Sequence, residues 1–190
     1  MAKRLVGKEL IEETMLELLE EKSIEQISVA EIAKCSGIST RAFYNHFSDK
    51  HAVVAAIYLR YMSNYLDCSI EDWYGHMEDF FTSHSKYMEN SLCYNGQNNL
   101  GDAIIALEWD KLRRHILPEV LEDCTELMRT EIAIEYMLYG NIGSTRNAFV
   151  HKNHSVLSKN MQEAFGGTWG YLSSNISPII LKNLSMLPVE

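Results

Sequence analysis

At 190 residues, 46% hydrophobic and 23% charged, the chain has the composition of one or two folded domains and not of a disordered or collagen-like protein. No stretch approaches the roughly 18 uninterrupted apolar residues of a membrane helix, and the basic first residues carry no apolar run, so a cytoplasmic protein with no membrane segment is expected. The formal net charge of -9 excludes a uniformly basic nucleic-acid coat, although residues 34–50 hold Lys34, Arg41 and Lys50 against Asp49 alone.

Leu10, Ile11, Met15, Leu18 and Leu19 recur at helical spacing among glutamates, which predicts an amphipathic helix over residues 8–22. Ser28 and Glu31 have the spacing of a capping box and open a second helix, which Gly37 ends by taking a positive φ. Ser39 caps a third helix reaching about His46, with Phe43 and Phe47 facing inward. Ser48 caps a fourth, whose Val53, Val54, Ile57, Tyr58, Tyr61, Met62 and Tyr65 make it a strut between two domains. Further helices are expected at about 70–90, 102–115, 119–152 with a break near Cys124, and 158–176. Residues 91–101 read as a loop, and Pro118 marks a helix start. No strand pattern occurs, so the fold class is all-α.

Two short helices joined by a glycine-containing turn, the second showing polar side chains outward, have the form of a helix-turn-helix. Val29, Ile32, Ala33, Ile38, Phe43 and Phe47 take the inner positions. Thr40, Arg41, Tyr44, Asn45 and His46 are left for the outer face, and each can hydrogen-bond. Arg41 suits the O6 and N7 of guanine, and Asn45 the N6 and N7 of adenine. The helix starts at Ser28 and at Ser48–Lys50 offer N–H groups to phosphate.

The segment SVAEIAKCSGISTRAFYNHFSDKHAV, residues 28–53, resembles the signature of TetR-type repressors, with its Phe43-Tyr44 and His46-Phe47 pairs and Lys50 after the turn. The resemblance covers about residues 8–60. It implies a three-helix DNA-binding domain over residues 1–50 and a helical effector-binding and dimerisation domain over 51–190. By it Thr40, Tyr44, His46 and Lys50 would contact phosphates or bases and Ser28 a phosphate, giving a DNA-facing set of Ser28, Ser39, Thr40, Arg41, Tyr44, Asn45, His46 and Lys50. Ser48 and Asp49 depart from a corner that is often more basic in the family, which implies modest phosphate affinity.

The C-terminal part is dense in aromatic and sulfur side chains. Most of these serve a core, but an apolar and aromatic pocket with a few polar groups suits a small-molecule effector. Trp73, Met77, His84, Trp109, Arg113, His115, Tyr136 and Tyr139 are the candidate lining. His76, His84, His115, His151 and His154 form no HExxH or comparable ligand pair, and Cys35, Cys68, Cys93 and Cys124 form no CxxC, so no metal or cofactor is expected and the cysteines read as free thiols.

Gly140, Gly143 and Ser144, and later Gly166, Gly167 and Gly170, allow close helix approach; the family resemblance implies a homodimer through helices at about 126–152 and 158–176. Tyr136 to Val150 also resembles the C-terminal domain of regulators from Firmicutes. No GxSxG, P-loop or GxGxxG supports an enzyme. The expectation is a ligand-responsive repressor on a palindromic double-stranded operator; the alternative is a TetR-fold adaptor or coactivator acting by protein contact.

Overall fold

The computed structural model describes residues 7–116 and 124–150, and every regular element among them is helical. In chain order these are α1 Gly7–Glu21, α2 Val29–Cys35, α3 Thr40–Tyr44, α4 Lys50–Met62, α5 Ile70–Ser83, α6 Ser85–Ser91, α7 Leu100–Ile116 and α8 Cys124–Val150, with 3-10 turns at Ile24–Gln26 and Ser63–Tyr65. None of the described helices is long and apolar enough to cross a membrane. Pro118, the helix expected at 158–176, His151, His154 and the glycines near 166–170 lie outside the described residues.

The described chain packs as two compact units, one of residues 7–63 with 83–104 and the other of 64–82 with the described part of 105–150. This packing does not follow the boundary at residue 50 that separates the expected roles. Helix α4 belongs to the first unit because it lies along α1, where the Arg60 guanidinium reaches the buried Glu12 carboxylate at 2.9 Å. Helix α6 belongs there too: Tyr87 Oη donates to the Val54 carbonyl and Asn90 Nδ2 to the Leu19 carbonyl, both at 2.7 Å. Ile11, Met15 and Leu19 of α1, Ile32 of α2, Phe43 of α3, and Val53, Ile57 and Tyr58 of α4 share the buried interior. These are the positions that the 3.6-residue period places inward.

In the second unit Trp73, Met77, Phe80 and Phe81 of α5 are buried, with Leu112 of α7 and Ile134, Met137, Leu138, Ile142 and Phe149 of α8. Helix α8 also exposes a face carrying Met128, Ile132, Tyr136, Tyr139 and Val150.

Four local expectations are corrected. Asp49, not Ser48, caps α4: its carboxylate accepts from the Ala52 amide at 2.8 Å, whereas the Ser48 hydroxyl turns to Asp49 itself. Ser28 does cap α2, accepting from the Glu31 amide at 3.1 Å, but the Glu31 side chain pairs with Lys22 at 2.5 Å, a stronger partner for a carboxylate than a backbone N–H. The third helix stops at Tyr44, with Asn45 as its C-cap. The helix expected over 70–90 is two, because His84 leaves helical geometry (φ -118°, ψ 38°), and α6 turns to pack on α1.

Candidate nucleic-acid interface and effector site

The helix-turn-helix is α2, the turn at Ser36–Ser39, and α3. The turn closes because Gly37 takes φ +68°, a region costly for residues with a Cβ, and the Ile38 amide reaches back to the Ala33 carbonyl at 2.9 Å. Ser39 Oγ accepts from the Ala42 amide at 3.1 Å and starts α3. Phe43 is fully buried and Phe47 nearly so, their rings 6.0 Å apart, and they fix the roll of α3. With those two inward, Thr40, Arg41, Tyr44, Asn45 and His46 are all exposed, Tyr44 by 56% although its ring abuts Phe43 edge-on. Ser28 and Ser39 are exposed as well. Each uses its hydroxyl oxygen as the acceptor of a cap and keeps its O–H as a donor.

Seven of the eight residues expected to face DNA are therefore exposed around α2 and α3. Lys50 is placed differently. Its Nζ donates to the carbonyls of Ile24 at 2.6 Å, Ile27 at 2.7 Å and Glu25 at 3.3 Å, so all three ammonium hydrogens are engaged within the protein. The sequence holds no signal for this, since a lysine after a helix-turn-helix reads equally well as a phosphate contact.

Seven of the eight candidate effector-site residues have described side chains, and their surroundings differ. Trp73 and Met77 are buried on α5, and Trp109 is half-buried on α7. Arg113 is exposed and lies 3.8 Å from Glu131. His84 belongs to the other unit, where its ring faces Tyr61 edge-on at 6.2 Å. Tyr136 and Tyr139 are 73% and 57% exposed on α8, not turned into the interior. The His115 side chain lies outside the described residues.

Sequence reasoning passed over the buried polar groups beside Trp73. Lys111 is 1% exposed; its Nζ donates to the carbonyls of Leu66, at 2.8 Å, and of Cys68, and it stands 5.6 Å over the Trp73 ring. Burial pushes its ammonium below the ordinary lysine range. Glu108 is 3% exposed, and burial raises its carboxyl to about 8, with the Tyr74 phenol as hydrogen-bonding neighbour drawing it part of the way back. The signal was present in the spacing, because Ile104, Glu108 and Leu112 form one stripe at i, i+4 and i+8, and a residue in such a stripe faces the core whatever its charge. The Trp73 indole N–H is buried without an acceptor among the described residues. The described residues contain no cluster of His, Cys, Asp or Glu able to hold a metal ion.

Residues 11–57 match the family model of bacterial regulatory proteins, tetR family. Comparison with curated protein sequences gave no match. Among solved structures, the chain is similar to the dihydroxyacetone kinase operon activator DhaS, with a TM-score of 0.63 and 13% identity over 92% of this chain and 100% of that one. It is also similar to a tetR-family transcriptional regulator from Streptomyces coelicolor, with a TM-score of 0.57 and 15% identity over 94% of this chain and 86% of that one. At these identities the structural likeness speaks to the fold, and the family match speaks to the helix-turn-helix. Residues 11–57 thus carry the helix-turn-helix domain of bacterial regulatory proteins of the tetR family, and the helical fold of the chain is that of solved tetR-family regulators.

Proposed function

We propose that the chain is a ligand-responsive transcriptional repressor, and not an enzyme, which reads a palindromic operator as a homodimer. Residues 1–50 would be its reader and 51–190 its sensor and dimer contact. The observation that carries this reading is the polar face of α3: Phe43 and Phe47 are locked inward, so Thr40, Arg41, Tyr44, Asn45 and His46 stand outward together. With Ser28 and Ser39 these make the DNA-contacting set, and Lys50 is left out of it because its donors are spent.

The exposed face of α8, where Met128, Ile132 and Tyr136 precede Gly140 and Gly143, supports the dimer: it offers apolar area and, at the glycines, close approach. The effector would be met by the buried faces of α5 and α7, with Trp73 Nε1 as a donor for an acceptor on the ligand.

Fluorescence anisotropy on a duplex carrying the DNA that flanks the protein's own gene tests this, read between 50 and 200 mM salt. A specific regulator holds that fragment far more tightly than mixed-sequence DNA, whereas equal and salt-labile binding to both would refute it. The second reading, an adaptor acting by protein contact, is favoured by one observation, that Lys50 gives its charge to the protein's own carbonyls. A reporter assay separates repression from activation, and the similarity to an operon activator makes both outcomes compatible with the fold.

A further inference from the structure

Cys68 and Lys111 bring a thiol and an amine together inside the second unit. Lys111 comes from α7 and is 1% exposed, whereas Cys68 is half-buried just before α5. The Lys111 Nζ lies 4.0 Å from the Cys68 Sγ, and it also donates to the Leu66 carbonyl at 2.8 Å and to the Cys68 carbonyl. Two carbonyls take two N–H groups, so a neutral amine serves them as well as an ammonium does, and the sulfur stands within reach of the remaining position on nitrogen. The thiol sends its own hydrogen to the Ser69 carbonyl at 3.2 Å, which leaves the sulfur lone pairs unspent. Burial favours the neutral form of both groups: it lowers the Lys111 ammonium and raises the Cys68 thiol, and the charge of each draws the other part of the way back. A third side chain completes the cluster. The Trp73 ring lies 5.6 Å from the Lys111 Nζ, and its buried Nε1–H has no acceptor among the described residues.

We propose that Cys68 and Lys111 capture a small aldehyde as a covalent bridge from nitrogen through carbon to sulfur, with Trp73 Nε1 donating to the carbonyl oxygen. One inserted carbon spans two atoms this close after a small movement of the flexible lysine stem. The Lys111 lone pair adds to the carbonyl carbon, and the C=O electron pair moves onto oxygen, which takes up the two amine protons in turn and leaves as water. The Cys68 sulfur then adds to the carbon of the imine, and the thiol proton goes to nitrogen. No oxidant or reductant enters. The half-buried thiol is the side from which the aldehyde arrives. The bridged nitrogen keeps one hydrogen where two carbonyls were served, so capture releases the Leu66 or the Cys68 carbonyl in the segment between the turn at Ser63–Tyr65 and α5. The inference rests on the proposed reading of this unit as the sensor and deepens it by naming the chemistry of the effector.

Mass spectrometry tests the site and duplex binding tests its use. The full chain is treated with formaldehyde in small excess, digested, and searched for a link between residues 68 and 111. The expected product is a joined peptide pair heavier than its parts by one carbon, CH2O gained and H2O lost, formed before exposed lysines such as Lys34 are modified. Anisotropy on the duplex flanking the protein's own gene gives the second reading. Treatment should change the affinity of the wild type by about fivefold or more and leave that of Cys68→Ala where it stood. Modified surface lysines with no link between 68 and 111 overturn the inference. An equal change of affinity in Cys68→Ala, or a fully linked wild type that binds as before, overturns it too. An untreated chain that holds this duplex no better than mixed-sequence DNA overturns the regulatory reading beneath, while the link is still judged by mass alone.

Discussion

Replacing Glu108 by Gln should make the protein more stable near neutral pH and remove a pH dependence that the wild type carries. The Glu108 carboxyl is buried between α5 and α7, where burial raises it from 4.5 to about 8. In the unfolded chain it ionises above about 4.5. Between those values the unfolded state binds fewer protons than the folded one, so stability falls as pH rises. The neutral form's contribution is present in full below about pH 4.5, is lost across the window up to about 8, and changes no further above it. At about 1.4 kcal/mol per pH unit, the loss from pH 5 to 7.5 comes to about 3 kcal/mol.

Glutamine keeps the shape and a hydrogen-bonding partner for Tyr74 but has no proton to lose. The variant should equal the wild type near pH 5 and exceed it by about 3 kcal/mol at pH 7.5, a gain of roughly 1–2 M in urea midpoint for a slope of about 2 kcal/mol per molar. Urea titrations followed by tryptophan emission at the two pH values measure this. Only the difference between the two proteins matters, since every other group titrates in both. Parallel pH profiles, or a variant less stable at pH 7.5, would refute the assignment of a neutral buried carboxyl.

Further outcomes follow from the first unit and from α8. Tyr44→Ala should weaken duplex binding about tenfold while shifting the melting temperature by no more than a degree or two, because the side chain is mostly exposed; anisotropy and thermal melting measure the two halves separately. Gly37→Ala should cost about 1 kcal/mol, seen as a melting temperature a few degrees lower: a Cβ there meets nothing within 4 Å, so only the positive φ is penalised. Arg60→Met should cost about 1–3 kcal/mol by taking from the buried Glu12 carboxylate its hydrogen-bonded cation and leaving only the attraction of Lys8, and Glu12→Gln in the same chain should recover part of it in denaturant titrations. Tyr136→Arg on the exposed face of α8 should shift a dimer toward monomer in sedimentation at micromolar concentration; an unchanged sedimentation coefficient would move the dimer contact elsewhere.

The helices were legible where one periodicity governed a whole element. Ile11, Met15 and Leu19, or Phe43 and Phe47, repeat at intervals that only a helix can bury together, and they are buried. Gly37 was legible for the same reason, because a turn of that tightness needs a residue at positive φ. What failed were choices between chemically similar neighbours. Ser48 and Asp49 can each cap a helix, and the chain uses the one whose second oxygen also finds Asn98, a residue 49 positions away. The break at His84 was hidden as well. Both sides of it, Phe80 and Phe81 before and Tyr87 and Met88 after, supply apolar side chains, so the pattern runs on while the backbone turns.

Lys50 and Lys111 show why the outward face of the helix-turn-helix was easier to read than side-chain contacts to the backbone. A helix-turn-helix presents polar side chains outward because its apolar ones are needed inward, so the outward residues are whatever the core leaves over, and that remainder is visible in sequence. A side chain that donates to backbone carbonyls obeys no such rule. Carbonyls belong to every residue, and those that lack a partner are fixed by where turns fall, not by which residues form them. Lys50 finds those of Glu25 and Ile27, and shares the Ile24 carbonyl with the Ile27 amide, and Lys111 finds two at Leu66 and Cys68, beyond the turn at Ser63–Tyr65. In each case a long flexible stem lets a charge reach an irregular segment that cannot satisfy itself. A cation placed beside a surface motif therefore has two uses, toward a phosphate or toward the fold.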